Sequence, residues 1–151
     1  SAVGGTPGNT RSTASVRRWT APGDMTVRVE SELSHQVTAG DGVRGFMVSS
    51  EHGQLGATKV HQSLAPFNTD AITVKKGETI DFVVDIDSVL NSDQYEWKAT
   101  ITQVAASNAQ SKSTGVWDSE ADFPTGAANR LTPLEQLAQI LFCSNEFLFV
   151  D

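Results

Sequence analysis

The sequence predicts an all-β protein: an antiparallel, jelly-roll-like β-sandwich with a helix appended at its C-terminal side. Three observations carry that expectation. Ile80, Phe82, Val84 and Ile86 alternate with Asp81, Val83 and Asp85, and Tyr95, Trp97, Ala99 and Ile101 alternate with Glu96, Lys98 and Thr100. A period of two marks a strand with one face on a core. Runs of this kind recur with Gly, Asp and Asn punctuation about every ten residues, the spacing of an antiparallel sandwich. Helical spacing is confined to the stretch after residue 130.

The bulk properties narrow the function classes. A chain of 151 residues suits one domain plus appendages. No apolar run approaches the ~20 residues that span a bilayer as a helix, so no membrane span is expected. A net charge of −7 counts against nucleic acid and anionic membrane as partners. It leaves room for an anionic ligand met by a local group of arginines. Cys143 is the single cysteine, which excludes an internal disulfide and a Cys-x-x-Cys-His haem attachment. No signal peptide is visible, and SAVGGTPGNT reads like an interior stretch, so Ser1 need not be a native start.

Along the chain, residues 1–14 are rich in Gly, Ser, Thr, Pro and Asn and read as a linker or irregular lead-in. The sandwich is expected over 15–105. Met25, Val27 and Val29 alternate with Thr26, Arg28 and Glu30, and Val43, Gly45 and Met47 with Arg44, Phe46 and Val48. Gly40-Asp41-Gly42 and His52-Gly53 separate these runs. Leu55–Val60 and Asp70–Val74 are further strand candidates. Gly77 supplies a positive φ to the turn after Val74. The last two alternating runs read as antiparallel strands joined by an acidic loop, Asp85–Asp93. Residues 106–130 lose periodicity and read as a linker, with Trp117 and Phe123 pinning it to a surface.

From 131 to 151 the pattern becomes a helix and an apolar tail. Thr132 suits the N-cap, Pro133 the first helical position, and Glu135 completes a capping box. Leu134, Leu137, Ala138, Leu141 and Phe142 share one face, and Ser144-Asn145 ends the helix. Such a helix is marginal alone, and Phe147–Val150 is poorly suited to water. The segment needs a surface on the sandwich, another chain or a further domain.

Two stretches suggest a family. Residues 131–151, LTPLEQLAQILFCSNEFLFVD, resemble the terminal segment of large planctomycete-type multidomain cytochrome c proteins. Arg17-Arg18-Trp19-Thr20-Ala21-Pro22, Gly40-Asp41-Gly42-Val43-Arg44, Ser49-Ser50 and Ile80-Asp81-Phe82-Val83-Val84-Asp85 look like the β-sandwich module within such proteins. That module is similar in style to non-catalytic carbohydrate-binding modules. The matching pieces lie within 15–105 and 131–151. The resemblance implies a periplasmic or extracellular location and other domains of the full-length protein as partners. It also places haem, and any electron transfer, in those other domains.

The candidate ligand residues are Arg17, Arg18, Trp19 and Arg44, with Tyr95, Glu96, Trp97 and Lys98 as a second group. Arg offers a rigid fork of donors, suited to carboxylate or sulfate, and Trp a flat apolar face for a sugar ring. By parity Arg17, not Arg18, shares a face with Trp19. Trp97 shares its face with Ile101 and reads better as core, whereas Glu96 and Lys98 point to an exposed face. Arg44 either lies beside such a face or pairs with Asp41.

Asp85, Asp87, Asn91 and Asp93 alternate as hard-cation ligands do, so a structural Ca²⁺ is weighed against a solvated acidic turn. An EF-hand does not fit, because Val89 takes a ligand position and Leu90 the glycine position. His35, His52 and His61 match no zinc spacing and read as loop and turn residues. Gly4-Gly5-Thr6-Pro7-Gly8 is followed by no helix and no Lys, so it is not a phosphate loop. Asp81 and Asp85 share a strand face and read as structural carboxylates rather than a glycosidase pair.

The expectation is therefore a non-catalytic polysaccharide-binding module, not an enzyme, its ligand a polysaccharide that is either anionic or neutral. The rival is an inter-domain adapter that binds no sugar.

Overall fold

A computed structural model describes residues 4–8, 10–104 and 115–123. The expected helix and apolar tail over 131–151 lie outside the described residues. Ten strands are present among those described: β1 (Gly4–Gly5), β2 (Ser15–Thr20), β3 (Met25–His35), β4 (Val43–Ser49), β5 (Gly53–Val60), β6 (Ser63–Pro66), β7 (Ile72–Val74), β8 (Thr79–Ile86), β9 (Tyr95–Gln103) and β10 (Val116–Asp118). A single 3-10 turn, Arg11–Thr13, precedes β2.

The strands form two antiparallel sheets. One runs β2-β8-β4-β5; in the other, β9 pairs with β1, β10 and β3, and β3 pairs with β6 and β7. Alternation sets their faces. From one sheet Trp19, Val43, Met47, Ile80, Phe82 and Val84 point inward, and from the other Val27, Val29, Leu33, Tyr95, Trp97, Ala99 and Ile101. They join in one hydrophobic cluster, so the two sheets pack face to face in a sandwich-like arrangement.

Trp97 sits at the centre of this core. Its ring stacks on Phe67 at 5.5 Å and meets the edge of Phe82 at 5.2 Å. Its Nε1 donates to the buried Ser31 Oγ at 3.1 Å, which supplies the partner that a buried indole N–H requires. Ser31 Oγ in turn donates to the Phe67 carbonyl. Gly45 lets the sheets approach here: a Cβ at that position would stand 2.6 Å from Leu33 Cδ2 and 3.2 Å from Trp97 Cζ3. Gly77 has the expected positive φ, 88°.

Two readings of the sequence change. β8 and β9 are not a hairpin. They belong to different sheets, and the acidic loop crosses from one to the other. Alternation fixes which face is buried but not which strand is the neighbour. The sheet also takes in residues on both sides of 15–105. Gly4 and Gly5 pair with Glu96 and Tyr95, and Val116–Asp118 pair with Thr102–Thr100. Trp117 packs edge-on to Trp19 at 5.2 Å, and Phe123 is buried against Phe82. Trp117 and Phe123 thus close one side of the core.

Candidate functional site

The sequence-predicted ligand residues separate into three environments. Arg18 and Arg44 lie on the outer face of the four-stranded sheet. Strand register sets Arg18 opposite Asp81 and Arg44 opposite Asp85. Arg18 Nε and Nη2 donate to the two Asp81 carboxylate oxygens at 2.7 and 2.8 Å. Arg44 Nε donates to Asp85 Oδ1 at 2.9 Å, and Nη2 donates to Oδ2. Both are fork-on-fork ion pairs, and Asp81 and Asp85 are themselves buried. Arg44 therefore pairs with Asp85 rather than Asp41, and its guanidinium also lies over the Phe46 ring at 5.3 Å. Asp81 and Asp85 are four residues apart, about 13 Å along a strand. That exceeds the roughly 5–9.5 Å of a glycosidase pair.

Between these ion pairs the same outer face carries an apolar strip. Phe46, Val48 and Val83 are buried and form a second hydrophobic cluster, with Ala14 and Val16 packed against it. Outer-face apolar side chains on central strands are ordinarily part-exposed, so this strip is unlike the polar outer face of the other sheet. There Arg28, Glu30, Glu32, Glu96 and Lys98 are exposed, with Glu32 opposite Lys98.

The aromatic candidates are interior. Trp19 and Trp97 are each 3 % exposed, and neither offers a flat face to a sugar. Tyr95 is buried, and its hydroxyl donates to Ser15 Oγ at 2.6 Å. Burial raises the Tyr95 pKa above that of a free phenol, an effect opposed by the Ser15 hydrogen bond and by the nearby Arg17 charge. The stacking platform weighed for Trp19 is thus spent on the core, and Trp97 is core as its parity with Ile101 indicates.

Arg17 is the remaining candidate. It shares the inward parity of Trp19 and lies opposite Phe82, where a charge would not be placed for stability. Arg17 is half-buried and lines a small pocket together with Phe82, Val84, Tyr95, Trp97, Ala99, Ser119 and Phe123. The space is about 10 Å³, room for one water-sized group. Arg17 Nη1 is buried and has no hydrogen-bond acceptor. Burial pulls the Arg17 pKa down, with the Tyr95 hydroxyl opposing that. Ser119 lines the same pocket, and its Oγ accepts from the Ala99 N–H at 3.0 Å. Ser119 and Phe123 were not readable as its lining, because they reach it only through the pairing of β10 with β9.

The alternating acidic loop does not assemble as spaced. Asp85 is held by Arg44, and Asp87 accepts from Lys59 Nζ at 2.7 Å. Lys59 holds the Asp87 carboxyl below its usual pKa. Asn91 is exposed, whereas Asp93 is buried, and Asp93 Oδ2 accepts from the Asn91 N–H at 3.2 Å. Burial raises the Asp93 pKa, with the Asn91 bond opposing it, the Asp41 charge adding to it and His35 opposing it. His35 is the end of β3 and fully buried rather than a loop residue, and it lies 5.6 Å from the ring of His61. Among the described residues, no three His, Cys, Asp or Glu side chains form a ready metal group.

No protein-family model, no curated protein and no solved structure matches the chain. Among the described residues no helix is long and apolar enough to cross a membrane.

Proposed function

We propose that this chain is a non-catalytic, jelly-roll-like binding module of a larger exported cytochrome-type protein, and that it holds an acidic polysaccharide through Arg17. The observation that carries this reading is the buried, acceptorless Nη1 of Arg17 among Phe82, Tyr95, Trp97 and Phe123. A buried guanidinium N–H without an acceptor is costly to the fold, and a carboxylate or sulfate oxygen is the group that would complete it. The pocket admits one such oxygen and no ring, so the sugar itself would lie at the mouth. The resemblance of 131–151 to the ends of multidomain cytochrome c proteins supports the setting, with haem in other domains and the module outside the cytoplasm.

Affinity electrophoresis through gels containing a polyuronate, a sulfated glycan or a neutral glucan tests this. Retardation is expected in an acidic gel, weakening with salt as exposed charge contacts are screened. Arg17→Met should abolish it and Arg17→Lys restore only part. Equal retardation of the parent and Arg17→Met would remove Arg17 from the site.

The adapter is the second reading, favoured by the interior placement of Trp19 and Trp97, which leaves neither ring as a platform for a sugar. Failure of every glycan to retard the parent would give it the lead.

A further inference from the structure

At the end of the molecule where the acidic loop crosses between sheets, three buried polar atoms lack partners: His35 Nδ1, Asp41 Oδ1 and Asp93 Oδ1. The crowding there is close. Gly40, at a φ of 85°, approaches the Asn91 carbonyl so nearly that a Cβ would stand 1.9 Å from its oxygen and 3.6 Å from Asp93 Oδ1. Asp41 is fixed by its other oxygen, Oδ2, which accepts from the Ser88 N–H at 2.9 Å and the Val89 N–H at 3.3 Å. Asp93 is fixed likewise through Oδ2 and Asn91. His35, on the neighbouring strand end, is 0 % exposed, and its Nε2 stands 2.9 Å from the Ser92 carbonyl.

Asp41 Oδ1 and Asp93 Oδ1 are both acceptors, and neither has a hydrogen-bond partner among the described residues. Two carboxylates held near one another repel, and Asp93 is 1 % exposed. Buried charge is retained in proteins when it is paired or coordinates a metal. We propose that the turn Gly40–Gly42 and the loop 87–94 hold one hard divalent cation of the calcium class between Asp41 Oδ1 and Asp93 Oδ1. Main-chain carbonyls of the two loops and water would complete an oxygen shell. His35 acts from behind the loop, fixing the Ser92 carbonyl and with it the residue before Asp93. This site differs from the alternating set Asp85, Asp87, Asn91 and Asp93. Of those four only Asp93 remains, and the new ligand comes from a turn more than forty residues earlier in the chain. It is independent of any role for Arg17.

The test uses the full chain freed of metal with a chelator. Thermal unfolding is followed in EDTA, in millimolar CaCl₂, and in NaCl of equal ionic strength. The expected result is a melting temperature several degrees higher in CaCl₂ than in either control, through preferential binding to the folded state. Asp93→Asn should abolish that rise and, in EDTA, should itself melt no lower than the parent, because it removes an unpaired buried charge. Asp87→Asn should keep the rise, since Asp87 is engaged by Lys59. Calorimetric titration with CaCl₂ gives a second readout: heat of one-site binding in the parent and in Asp87→Asn, and none in Asp93→Asn. Equal melts of the parent in EDTA and CaCl₂ with no binding heat would overturn the proposal. So would an equal rise in NaCl, or a calcium response that survives Asp93→Asn.

Discussion

Replacing Arg17 by Met should make the protein more stable and less able to bind. Arg17 Nη1 is buried with no acceptor, and an unsatisfied buried donor costs about 1–3 kcal/mol. Met has an unbranched stem that adapts to irregular apolar gaps, so it should keep the packing against Phe82, Tyr95 and Trp97. Removing the penalty while losing a little contact leaves a gain of roughly 1–2 kcal/mol. For a domain of this size that raises the melting temperature by about 3–8 °C. Urea unfolding followed by tryptophan fluorescence reads it, with Trp97 in the core as the reporter. Arg18→Met is the contrast. It leaves the buried Asp81 without its fork and should lose stability, since breaking a buried pair typically costs about 3–5 kcal/mol. If Arg17→Met destabilises by more than about 1 kcal/mol, the guanidinium has a stabilising partner in the free protein, and the reasoning about its strain fails. A residue whose removal strengthens the fold and weakens binding is one kept for function.

Other expectations follow from single contacts. Gly45→Ala should destabilise by about 1–3 kcal/mol through overpacking against Leu33 and Trp97, measurable by denaturant midpoint; an unchanged midpoint would show that the sheets can part there. Ser31→Ala strands the Trp97 N–H and should cost about 1–3 kcal/mol with a changed near-ultraviolet dichroism. Lys59→Ala removes an exposed pair with Asp87 and should cost less than about 1 kcal/mol, with the loss shrinking as salt rises. Tyr95 has its pKa raised in the fold, so its contribution is complete below about pH 10 and is lost as pH climbs through the folded value. The alkaline limb of the stability profile should therefore be flatter in Tyr95→Phe, and an identical limb would show that another group controls it.

The interior faces were legible because each long strand announces itself by period two. Ile80, Phe82, Val84 and Ile86, and Tyr95, Trp97, Ala99 and Ile101, are all buried as the alternation requires. Parity also placed Arg17 beside Trp19 and turned Glu96 and Lys98 outward. What alternation does not carry is pairing. The Arg18–Asp81 and Arg44–Asp85 pairs depend on strand register between residues 63 and 41 positions apart, and register is not written in either strand alone. Nor could β1 and β10 be found, since two glycines and a Val-Trp-Asp triplet are too short for any period to show. The Asp41–Asp93 juxtaposition is a matter of two turns meeting. Its local trace is the Gly40-Asp41-Gly42 triplet, whose glycines both take positive φ.

The placement of β1 and β10 has a consequence for how the module could sit in a longer chain. Both run antiparallel to β9 along its length, β1 at Glu96 and Tyr95 and β10 at Thr102 to Thr100. Their nearest partners on β9, Glu96 and Thr100, are four residues apart, about 13 Å. The two strands thus lie in line along the edge of β9 that β3 leaves open. A body built so can be set into a surface loop of a host without prying that host apart, and its own ends can be joined and reopened elsewhere.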